Sequence, residues 1–278
     1  MKQYYKKGGR MAGILNIQIK SLYADRETNL KKIEYFIEKN SDKKLDMVIM
    51  PEFFSTSIGY LECFEPEDGG ETIKFISSLA KKYNTNIIAG SVVRQKADGR
   101  LYNTSFAINR AGEVVKTYDK VHLFNYMGGT EGQRITAGNE IAVVDFDFAR
   151  VGMTICFDIR YPLFFTKLIK ENVDMIVLPT AWLIPDAIYN NPETLKSAKD
   201  MWQAMCRTRA YDNQVYFIVS NQTKTTTKGF SGIGESMIIS PAAEILQNAH
   251  DDECAIYSDI DLEIVDYYRK LFPVAELD

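Results

Sequence analysis

The chain has 278 residues, of which 46% are apolar and 25% are charged, and its 33 basic and 37 acidic residues leave a formal net charge of −4. This balance gives no bias toward nucleic acid or an anionic membrane. The basic start, residues 1–11, is not followed by an apolar stretch of signal-peptide length, and the longest apolar runs are too short to span a bilayer. We therefore expect a cytoplasmic protein with no nucleic-acid or membrane partner, built as a single domain over residues 1–278, with residues 1–11 as a candidate N-terminal extension.

Short β-branched runs alternate along the chain with longer patterns of helical periodicity. In the first half, strands are predicted at 13–19, 47–51, 86–93 and 102–118, with a hairpin turn at 109–112, and helices are predicted at 24–40 and 71–83. In the second half, two strands are predicted within 141–156, further strands at 174–179, 215–221, 236–240 and 255–261, and helices at 162–170, 194–211 and 262–272. This order, with hairpins in both halves, predicts an α/β fold with mixed sheets.

The cysteine and histidine content narrows the possible chemistry. The four cysteines lie far apart and form no C-x-x-C pair, which argues against a zinc cluster and a thioredoxin-type site. A disulfide framework is not expected in a chain of this size and type. Only two histidines are present, so any catalysis must depend mainly on carboxylates, lysine or cysteine. The cysteines are Cys63, Cys156, Cys206 and Cys254.

Polar residues follow four of the predicted strands. Glu52, Lys120 and Cys156 each follow one strand, and the sequence Thr-Ala-Trp at 180–182 follows a fourth. In open α/β sheets, ligands bind beyond the carboxyl ends of the strands. The spacing therefore suggests one shared pocket, although loops after strands are polar in most proteins.

The residue types at these strand ends suit nucleophilic catalysis by a thiol. A thiol is a good nucleophile only as the thiolate, and an ordinary cysteine is mostly protonated at neutral pH. A nearby ammonium stabilises the thiolate, and a carboxylate can accept the proton. The ammonium can also stabilise an oxyanion beside a backbone N–H. A Cys–Glu–Lys set of this kind fits attack on a carbonyl or nitrile carbon, followed by hydrolysis of a thioester.

Each of these residues also has a simpler explanation when taken alone. A cysteine such as Cys156 at the end of a buried strand is more often part of a core, Glu52 could cap the segment that follows it, and Lys120 could be a solvated surface residue. His122 fits a structural role better than that of a general base. The glycine-rich segments 128–132 and 229–236 match no phosphate-binding motif. The other three cysteines are interpreted as structural.

Three segments together resemble the motifs of the nitrilase superfamily of carbon–nitrogen hydrolases. They are PEFF at 51–54, YDKVHLF at 118–124 and GMTICFDIRYP at 152–162, in the family's order. Two further segments, LPTAW at 178–182 and GESMIISP at 234–241, are also similar to the family. The resemblance covers residues 12–273, which is nearly the whole chain.

The resemblance implies a fold, a partner and a set of roles. The fold would be an α-β-β-α sandwich with two mixed sheets, which pairs with a second copy as a homodimer. Cys156 would be the nucleophile, Glu52 the general base and Lys120 the group that stabilises the tetrahedral intermediate. The Phe157 backbone N–H would complete the oxyanion hole, and Glu131 is the candidate for the family's second glutamate. The substrates would be a small amide and water, with no cofactor and no metal.

The cysteine motif CFDIRYP is most similar to that of the omega-amidase-like and related Nit amidases. That branch acts on small amides that carry a carboxylate, often beside a 2-oxo group. Arg160 is a candidate for binding the carboxylate, because a guanidinium can bind it through two parallel hydrogen bonds; alternatively it forms a structural ion pair near the following helix. Trp182 could form an apolar wall of the pocket or belong to the core.

Several positions depart from the family pattern. Leu163 stands where a glutamate is frequent, the pair Ala242 and Ala243 replaces an Asp-Gly type of turn, and Asp212 replaces a common glutamate. The segment 125–132 lacks the proline–glycine stretch of many omega-amidases. These changes leave the expected chemistry intact and make the substrate less certain.

Three alternatives remain open from the sequence. The first is an enzyme of the same superfamily that hydrolyses an N-carbamoyl amino acid or another linear amide, which carbon dioxide release would reveal for the carbamoyl substrate. The second is a non-catalytic metabolite-binding protein that retains the fold. The third is a papain-like protease, which would need His122 as its base.

Overall fold

The computed structural model describes residues 9–126, 129–227 and 229–274. Its strands are β1 Met11–Gln18, β2 Met47–Ile49, β3 Asn86–Gln95, β4 Leu101–Ile108, β5 Val114–Asp119, β6 Ala142–Asp145, β7 Arg150–Met153, β8 Met175–Pro179, β9 Leu183–Pro185, β10 Tyr216–Ser220, β11 Thr223–Thr227, β12 Phe230–Ile233, β13 Met237–Ile239, β14 Ile245–Asn248 and β15 Cys254–Asp261. Its α-helices are α1 Arg26–Glu38, α2 Gly70–Lys82, α3 Pro162–Ile169, α4 Asp186–Tyr189, α5 Pro192–Asn213 and α6 Glu263–Leu271.

Two six-stranded mixed sheets form the centre of the fold. The first has the strand order β15-β1-β2-β3-β4-β5, and the second has the order β14-β13-β10-β8-β7-β6. In the first sheet β1, β2 and β3 run parallel, whereas β15, β4 and β5 pair antiparallel with their neighbours. In the second sheet β7, β8 and β10 run parallel. A smaller sheet of β11, β12 and β9 lies beside them.

The inner strands of the first sheet are apolar on both faces because each face is covered. Successive side chains of a strand point to opposite faces. Accordingly, Ile14 and Met47 belong to the large core that contains the second sheet, α3 and α5. Leu15 and Val48, one residue further along, belong to the core shared with α1 and α2. The layers are therefore helix, sheet, sheet and helix, and the expected α-β-β-α sandwich with two mixed sheets is confirmed.

Most predicted elements are present within a few residues of their expected bounds, including the hairpin turn, where the N–H of Gly112 donates to the carbonyl of Asn109 at 2.8 Å. One boundary was wrong in a way that matters for the site. The strand expected to reach Cys156 ends at Met153, and Cys156 begins a short 3-10 helix that extends to Arg160. Met11 is already paired with Asp261 in the first sheet, and residues 1–8 of the candidate extension lie outside the described residues.

The elements that the sequence did not predict are short. β9, β11, β12, β14 and the one-turn helix α4 have three to five residues each, too few to show a clear period. The glycine-rich segment 229–236 forms β12 and the turn after it rather than a phosphate loop. Across the described ranges, no helix combines the length and the apolar character that a membrane crossing requires.

Candidate active site

Glu52 is held at the end of β2 by a close approach between two strands. A Cβ added at Gly90 on β3 would lie 2.0 Å from the carbonyl oxygen of Met50, so only glycine lets the neighbouring chain pass this close. Phe53, the residue after Glu52, has a positive φ of 54°, which is uncommon for a bulky residue, and its N–H donates to Ser91 Oγ at 3.2 Å. The Glu52 side chain is buried, with 1% exposure.

Lys120 is fixed by backbone bonds on both sides of the chain. Its N–H donates to the carbonyl of Asn103 at 2.9 Å, and its own carbonyl accepts from the N–H of Gly138 at 2.9 Å. A Cβ at Gly138 would lie 2.3 Å from the carbonyl oxygen of Asp119, so this approach also requires glycine. The ammonium group therefore enters the site from a rigid strand end, with 2% exposure of the residue.

Cys156 lies at the turn between β7 and the 3-10 helix and has a positive φ of 46°. Backbone conformations of this kind are unfavourable for non-glycine residues and occur where the surroundings determine them, often at functional sites. Here the fully buried Asp158 provides the constraint, because its Oδ2 accepts from the N–H of Ile155 at 2.8 Å and from the Tyr118 hydroxyl at 2.7 Å. Its Oδ1 accepts from the N–H of His122 at 3.1 Å and lies 2.7 Å from His122 Nδ1. Asp158 thus fixes the cysteine turn to the segment that contains Lys120.

Glu52, Lys120 and Glu131 form one buried charged cluster. Lys120 Nζ donates to Glu52 Oε1 at 3.0 Å and to Glu131 Oε2 and Oε1 at 2.9 and 3.2 Å. The side-chain amide of Asn103 donates to Glu52 Oε1 at 2.8 Å and to Glu131 Oε1 at 3.0 Å. Three of the predicted site residues are therefore in direct contact, and Asn103 is a fourth member that the sequence did not reveal.

The two carboxylates differ in the number of donors that they accept. Glu131 accepts from Lys120, from Asn103 and, at 2.8 Å, from the N–H of Phe124, so each of its oxygens accepts two hydrogen bonds. Glu52 Oε1 also has two contacts, whereas its Oε2 has one, from the N–H of Ala181 at 2.8 Å. A carboxylate oxygen has two lone pairs. Glu52 Oε2 therefore retains capacity to accept a proton.

The charges in the cluster keep Lys120 protonated and Cys156 neutral. Burial by itself would lower the pKa of Lys120, but the carboxylates of Glu131 and Glu52 raise that pKa well above its usual value. Burial raises the pKa of the Cys156 thiol, and the Glu52 carboxylate raises it further. Lys120 and the hydroxyl of Thr180 act in the opposite direction without cancelling this rise. At neutral pH the free site therefore contains Cys156 as a thiol and Lys120 as an ammonium.

Among the described residues, the predicted substrate-binding side chains make no hydrogen bond to the charged cluster. The Phe157 ring packs against Phe124 and Tyr161, with centroids 5.2 and 5.9 Å away. The guanidinium of Arg160 is exposed and lies 3.9 Å from Met205 Sδ, and it makes no ion pair with the residues that the structure describes.

Trp182 packs against the buried Trp202, with centroids 4.6 Å apart, so its ring extends the core. It is only half-buried, and its backbone N–H donates to Asn221 Oδ1 at 2.9 Å. The neighbouring Ala181 N–H bonds Glu52 directly. The segment after β8 is therefore joined to the charged cluster as the strand-end argument expected.

Tyr60 is a further site residue that the sequence did not indicate. Its ring stacks on Phe53 with centroids 4.5 Å apart. Burial, together with the Glu131 and Glu52 carboxylates, raises the pKa of Tyr60 to about 12. The neutral hydroxyl of Tyr60 is thus near the two carboxylates. A tyrosine in a 3-10 helix carries no sequence signal that points to this position.

His122 contacts Asp158 and Tyr161 rather than the Cys156 thiol. Its Nδ1 lies 2.7 Å from Asp158, and its ring stacks on Tyr161 with centroids 3.6 Å apart. The charged neighbours of the Cys156 thiol are Glu52 and Lys120. Among the described residues, no group of three or more histidine, cysteine, aspartate or glutamate side chains is arranged to hold a metal ion.

The sequence and the fold match a known family. The model of the carbon-nitrogen hydrolase family matches residues 12–270, and the chain belongs to that family. It is a hydrolase that acts on carbon–nitrogen bonds other than peptide bonds.

Relatives and solved structures agree with this assignment. A 2-oxoglutaramate amidase of Bacillus subtilis is 30% identical, over 93% of this chain and 94% of that protein. A human omega-amidase is 27% identical, over 94% of this chain and 92% of that protein. A solved Saccharomyces cerevisiae member of branch 10 of the nitrilase superfamily has a TM-score of 0.82 at 23% identity, with 96% of each chain covered. A carbon-nitrogen hydrolase from Helicobacter pylori has a TM-score of 0.86 at 20% identity, over 97% of this chain and 96% of that chain.

Proposed function

We propose that this protein is a thiol amidohydrolase that cleaves the C–N bond of a small amide bearing a carboxylate, in the manner of an omega-amidase, and releases ammonia. The single observation that carries the proposal is the buried cluster in which Lys120 bonds Glu52 and Glu131 beside the Cys156 thiol. The names of the relatives, 2-oxoglutaramate amidase and omega-amidase, support the substrate class.

The first step is attack by Cys156 with Glu52 as general base. Because burial and Glu52 raise the pKa of the thiol, Cys156 is not a preformed thiolate in the free site. Glu52 Oε2, which has one bonded N–H and a free lone pair, accepts the thiol proton as sulfur bonds to the carbonyl carbon. The carbonyl oxygen becomes an oxyanion in this step.

Lys120 and the Phe157 N–H stabilise that oxyanion. An ammonium has three protons; one bonds Glu52, one is shared between the two oxygens of Glu131, and the third is left for the substrate. The Phe157 N–H lies in the first turn of the 3-10 helix, where N–H groups have no partner within the helix. Donors that are fixed before the reaction stabilise developing charge at little further cost.

The remaining steps reuse the same groups. The tetrahedral intermediate collapses, the C–N bond breaks, and the nitrogen takes the proton from Glu52 and leaves as ammonia. Water then attacks the thioester while Glu52 accepts its proton. The second intermediate expels sulfur, which regains the proton as a thiol, and releases the carboxylic acid. In this cycle Glu131 holds Lys120 in place, because its oxygens already accept from Lys120, Asn103 and Phe124.

Recognition of the substrate is assigned to Arg160 and Trp182. The Arg160 guanidinium is exposed and has no ion-pair partner within the described part of the chain, which supports a role in binding a carboxylate and weighs against a purely structural ion pair. Trp182 supplies an apolar wall through the part of its ring that does not pack on Trp202. A site of this kind also fits an N-carbamoyl amino acid, which carries a carboxylate as well.

We also propose that the protein is a cytoplasmic homodimer. Large apolar residues are exposed on helices that cover the second sheet, including Leu163 on α3, which is 78% exposed, and Met201 and Tyr211 on α5. Such a surface fits a second copy of the chain. Light scattering after gel filtration tests this proposal, and a mass of one chain at micromolar concentration would contradict it. The single-domain organisation over residues 1–278 stays a prediction.

The function is tested by ammonia release from a panel of 2-oxo-acid amides, simple carboxylated amides, N-carbamoyl amino acids and nitriles, with Cys156→Ala as the control. We expect turnover of the carboxylated amides, with no ammonia from the variant. Carbon dioxide released together with ammonia from the carbamoyl compounds alone would assign the alternative substrate. Binding of amides without turnover would favour a non-catalytic metabolite-binding protein.

A further inference from the structure

We propose that Asn103 is a positioning residue that keeps Glu52 and Glu131 ionised as a pair around Lys120 and thereby keeps Glu52 available as the base. The inference rests on the proposed function, because it concerns the proton acceptor of that reaction. It is carried by the geometry of one buried amide group that is shared between two carboxylates.

Asn103 determines the position of the cluster through both its backbone and its side chain. It lies on β4, is fully buried, and its carbonyl accepts from the N–H of Lys120 at 2.9 Å. Its Nδ2 has two protons, and the two acceptors within bonding distance belong to Glu52 and Glu131. Each carboxylate therefore receives one of the two amide protons.

The orientation of this amide is determined by its partners. In the reverse orientation the oxygen Oδ1 would face two carboxylate oxygens, which cannot donate to it when they are ionised. In the observed orientation Oδ1 is buried without a hydrogen-bond partner among the described residues. An unpartnered buried oxygen destabilises a protein. The amide NH₂ group therefore bonds both carboxylates, although this orientation leaves the amide oxygen without a hydrogen bond.

The charge balance explains why a neutral donor is needed at this position. With Cys156 as a thiol, two carboxylates face one ammonium, so the cluster has an excess negative charge. A nearby like charge favours protonation of a carboxylate, whereas hydrogen bonds to its ionised form oppose protonation. Asn103 supplies such a bond to both groups without adding charge. If Glu52 were protonated, it could not accept the proton of Cys156, and attack would stop.

The test compares Asn103→Leu with Ser105→Ala. Leucine has a similar volume and no donor. Ser105 is buried on the same strand two residues further along, and its hydroxyl has no partner within the described residues, so its removal reports on disturbance of β4. The readout is the pH dependence of Cys156 alkylation by iodoacetamide, together with the pH profile of kcat/KM. Alkylation requires the thiol and its base but no amide substrate, so the test is valid even if no amide of the panel is turned over.

We expect the acid limb of both profiles to move to higher pH by about one unit in Asn103→Leu. We also expect kcat at pH 7 to fall by about 10- to 100-fold, with KM changed far less, because the base and Lys120 lose their alignment. Ser105→Ala should keep both acid limbs at the wild-type position. If Asn103→Leu does not fold, Asn103→Asp, which keeps the shape and replaces the donor by a carboxylate, should move the acid limb further in the same direction.

An acid limb that stays at the wild-type pH in a folded Asn103 variant would overturn the proposal, even if the melting temperature falls. The same displacement of the acid limb in Ser105→Ala would also overturn it, because the effect would then belong to the strand. Absence of amide turnover in the wild-type protein would instead reject the proposed function, and the alkylation profile would still decide the role of Asn103.

Discussion

The two sheets contribute to the site in different ways. The first sheet supplies the charged cluster, since Glu52, Asn103 and Lys120 follow or lie on β2, β4 and β5 and are connected to one another by side-chain hydrogen bonds. The second sheet supplies the proposed nucleophile, Cys156, which is placed by backbone geometry, with its positive φ fixed by Asp158. The charged cluster and Cys156 are therefore positioned by separate parts of the fold.

Several hydrogen bonds connect the two parts close to the site. The N–H of Ala181, after β8, donates to Glu52, and the amide of Gln222 donates to the Glu52 carbonyl at 2.7 Å. On the other side, the Tyr118 hydroxyl at the end of β5 donates to Asp158. Changes within the cluster should therefore affect charge and proton transfer, whereas changes at these connections should affect the distance between base and nucleophile.

The largest expected effect comes from the groups that react. Cys156→Ala removes the proposed nucleophile, Glu52→Gln the proposed base and Lys120→Ala the proposed stabilising charge, so each should lower kcat by about three or more orders of magnitude. Ammonia release measures the effect, and circular dichroism checks the fold. Because these groups act as one unit, the Cys156→Ala and Glu52→Gln double variant should be little worse than either single variant. Near-normal turnover by folded Cys156→Ala would exclude the mechanism.

A smaller effect is expected from Arg160, which lies outside both the cluster and the turn. Arg160→Gln should raise KM for a carboxylated amide by about 10- to 100-fold, because a charge-assisted bond to the carboxylate is lost. A neutral amide of the same size is the matched substrate, and its KM should change little. Equal increases in KM for both substrates would show that Arg160 does not recognise the carboxylate.

The connection between the sheets is tested by Asp158→Asn. Asparagine replaces one acceptor oxygen by an NH₂ group that faces N–H and O–H donors, so we expect a loss of about 1–3 kcal/mol in the free energy of unfolding. We expect kcat to fall by about tenfold, because the turn that contains Cys156 is released. Tyr118→Phe, which removes one donor and leaves Asp158 intact, should have a smaller effect on both quantities. A larger effect of Tyr118→Phe than of Asp158→Asn would show that Asp158 is not the residue that constrains the turn at Cys156.

The smallest expected effect is a shift in the pKa of the Cys156 thiol, which distinguishes the influence of Glu52 from that of Lys120. Because the Glu52 carboxylate raises the pKa of the Cys156 thiol and Lys120 lowers it, Glu52→Gln should lower the midpoint of the basic rise of alkylation, where the thiolate forms without help from a base, and Lys120→Met should raise that midpoint. In the wild-type protein the rate of alkylation should keep increasing at a pH above the titration of an ordinary thiol. Iodoacetamide labelling followed by mass spectrometry across a pH series measures all three midpoints. Shifts of the same sign in the two variants would contradict the assigned charges.

Much of this arrangement was predictable from the sequence, because motifs mark the residues that form the cluster and the residue that is proposed as nucleophile. Glu52, Lys120 and Cys156 each follow a predicted strand, and the structure brings Lys120 and both glutamates into contact. The layered fold was also predictable, since strands covered on both faces are continuously apolar.

The supporting residues could not be predicted in the same way. Asn103 and Asp158 act through partners that are distant in the sequence, such as Glu52, 51 residues from Asn103, and Tyr118, 40 residues from Asp158. The turn at Cys156 was also mispredicted, because an apolar run gives no sign that the strand ends at Met153 and that φ becomes positive. The periodicity of a sequence indicates helices, strands and their buried faces. It does not indicate which side chains from different sheets come into contact.

The central claim is that Cys156 forms a thioester with the acyl group of the amide. Hydroxylamine tests it most directly, because it attacks a thioester in place of water and gives a hydroxamate. With a carboxylated amide and increasing hydroxylamine, we expect ammonia release to continue while the product changes from the acid to the hydroxamate, and both products should be absent with Cys156→Ala. Formation of the acid alone at every hydroxylamine concentration, or hydroxamate formation by Cys156→Ala at the wild-type rate, would contradict the account.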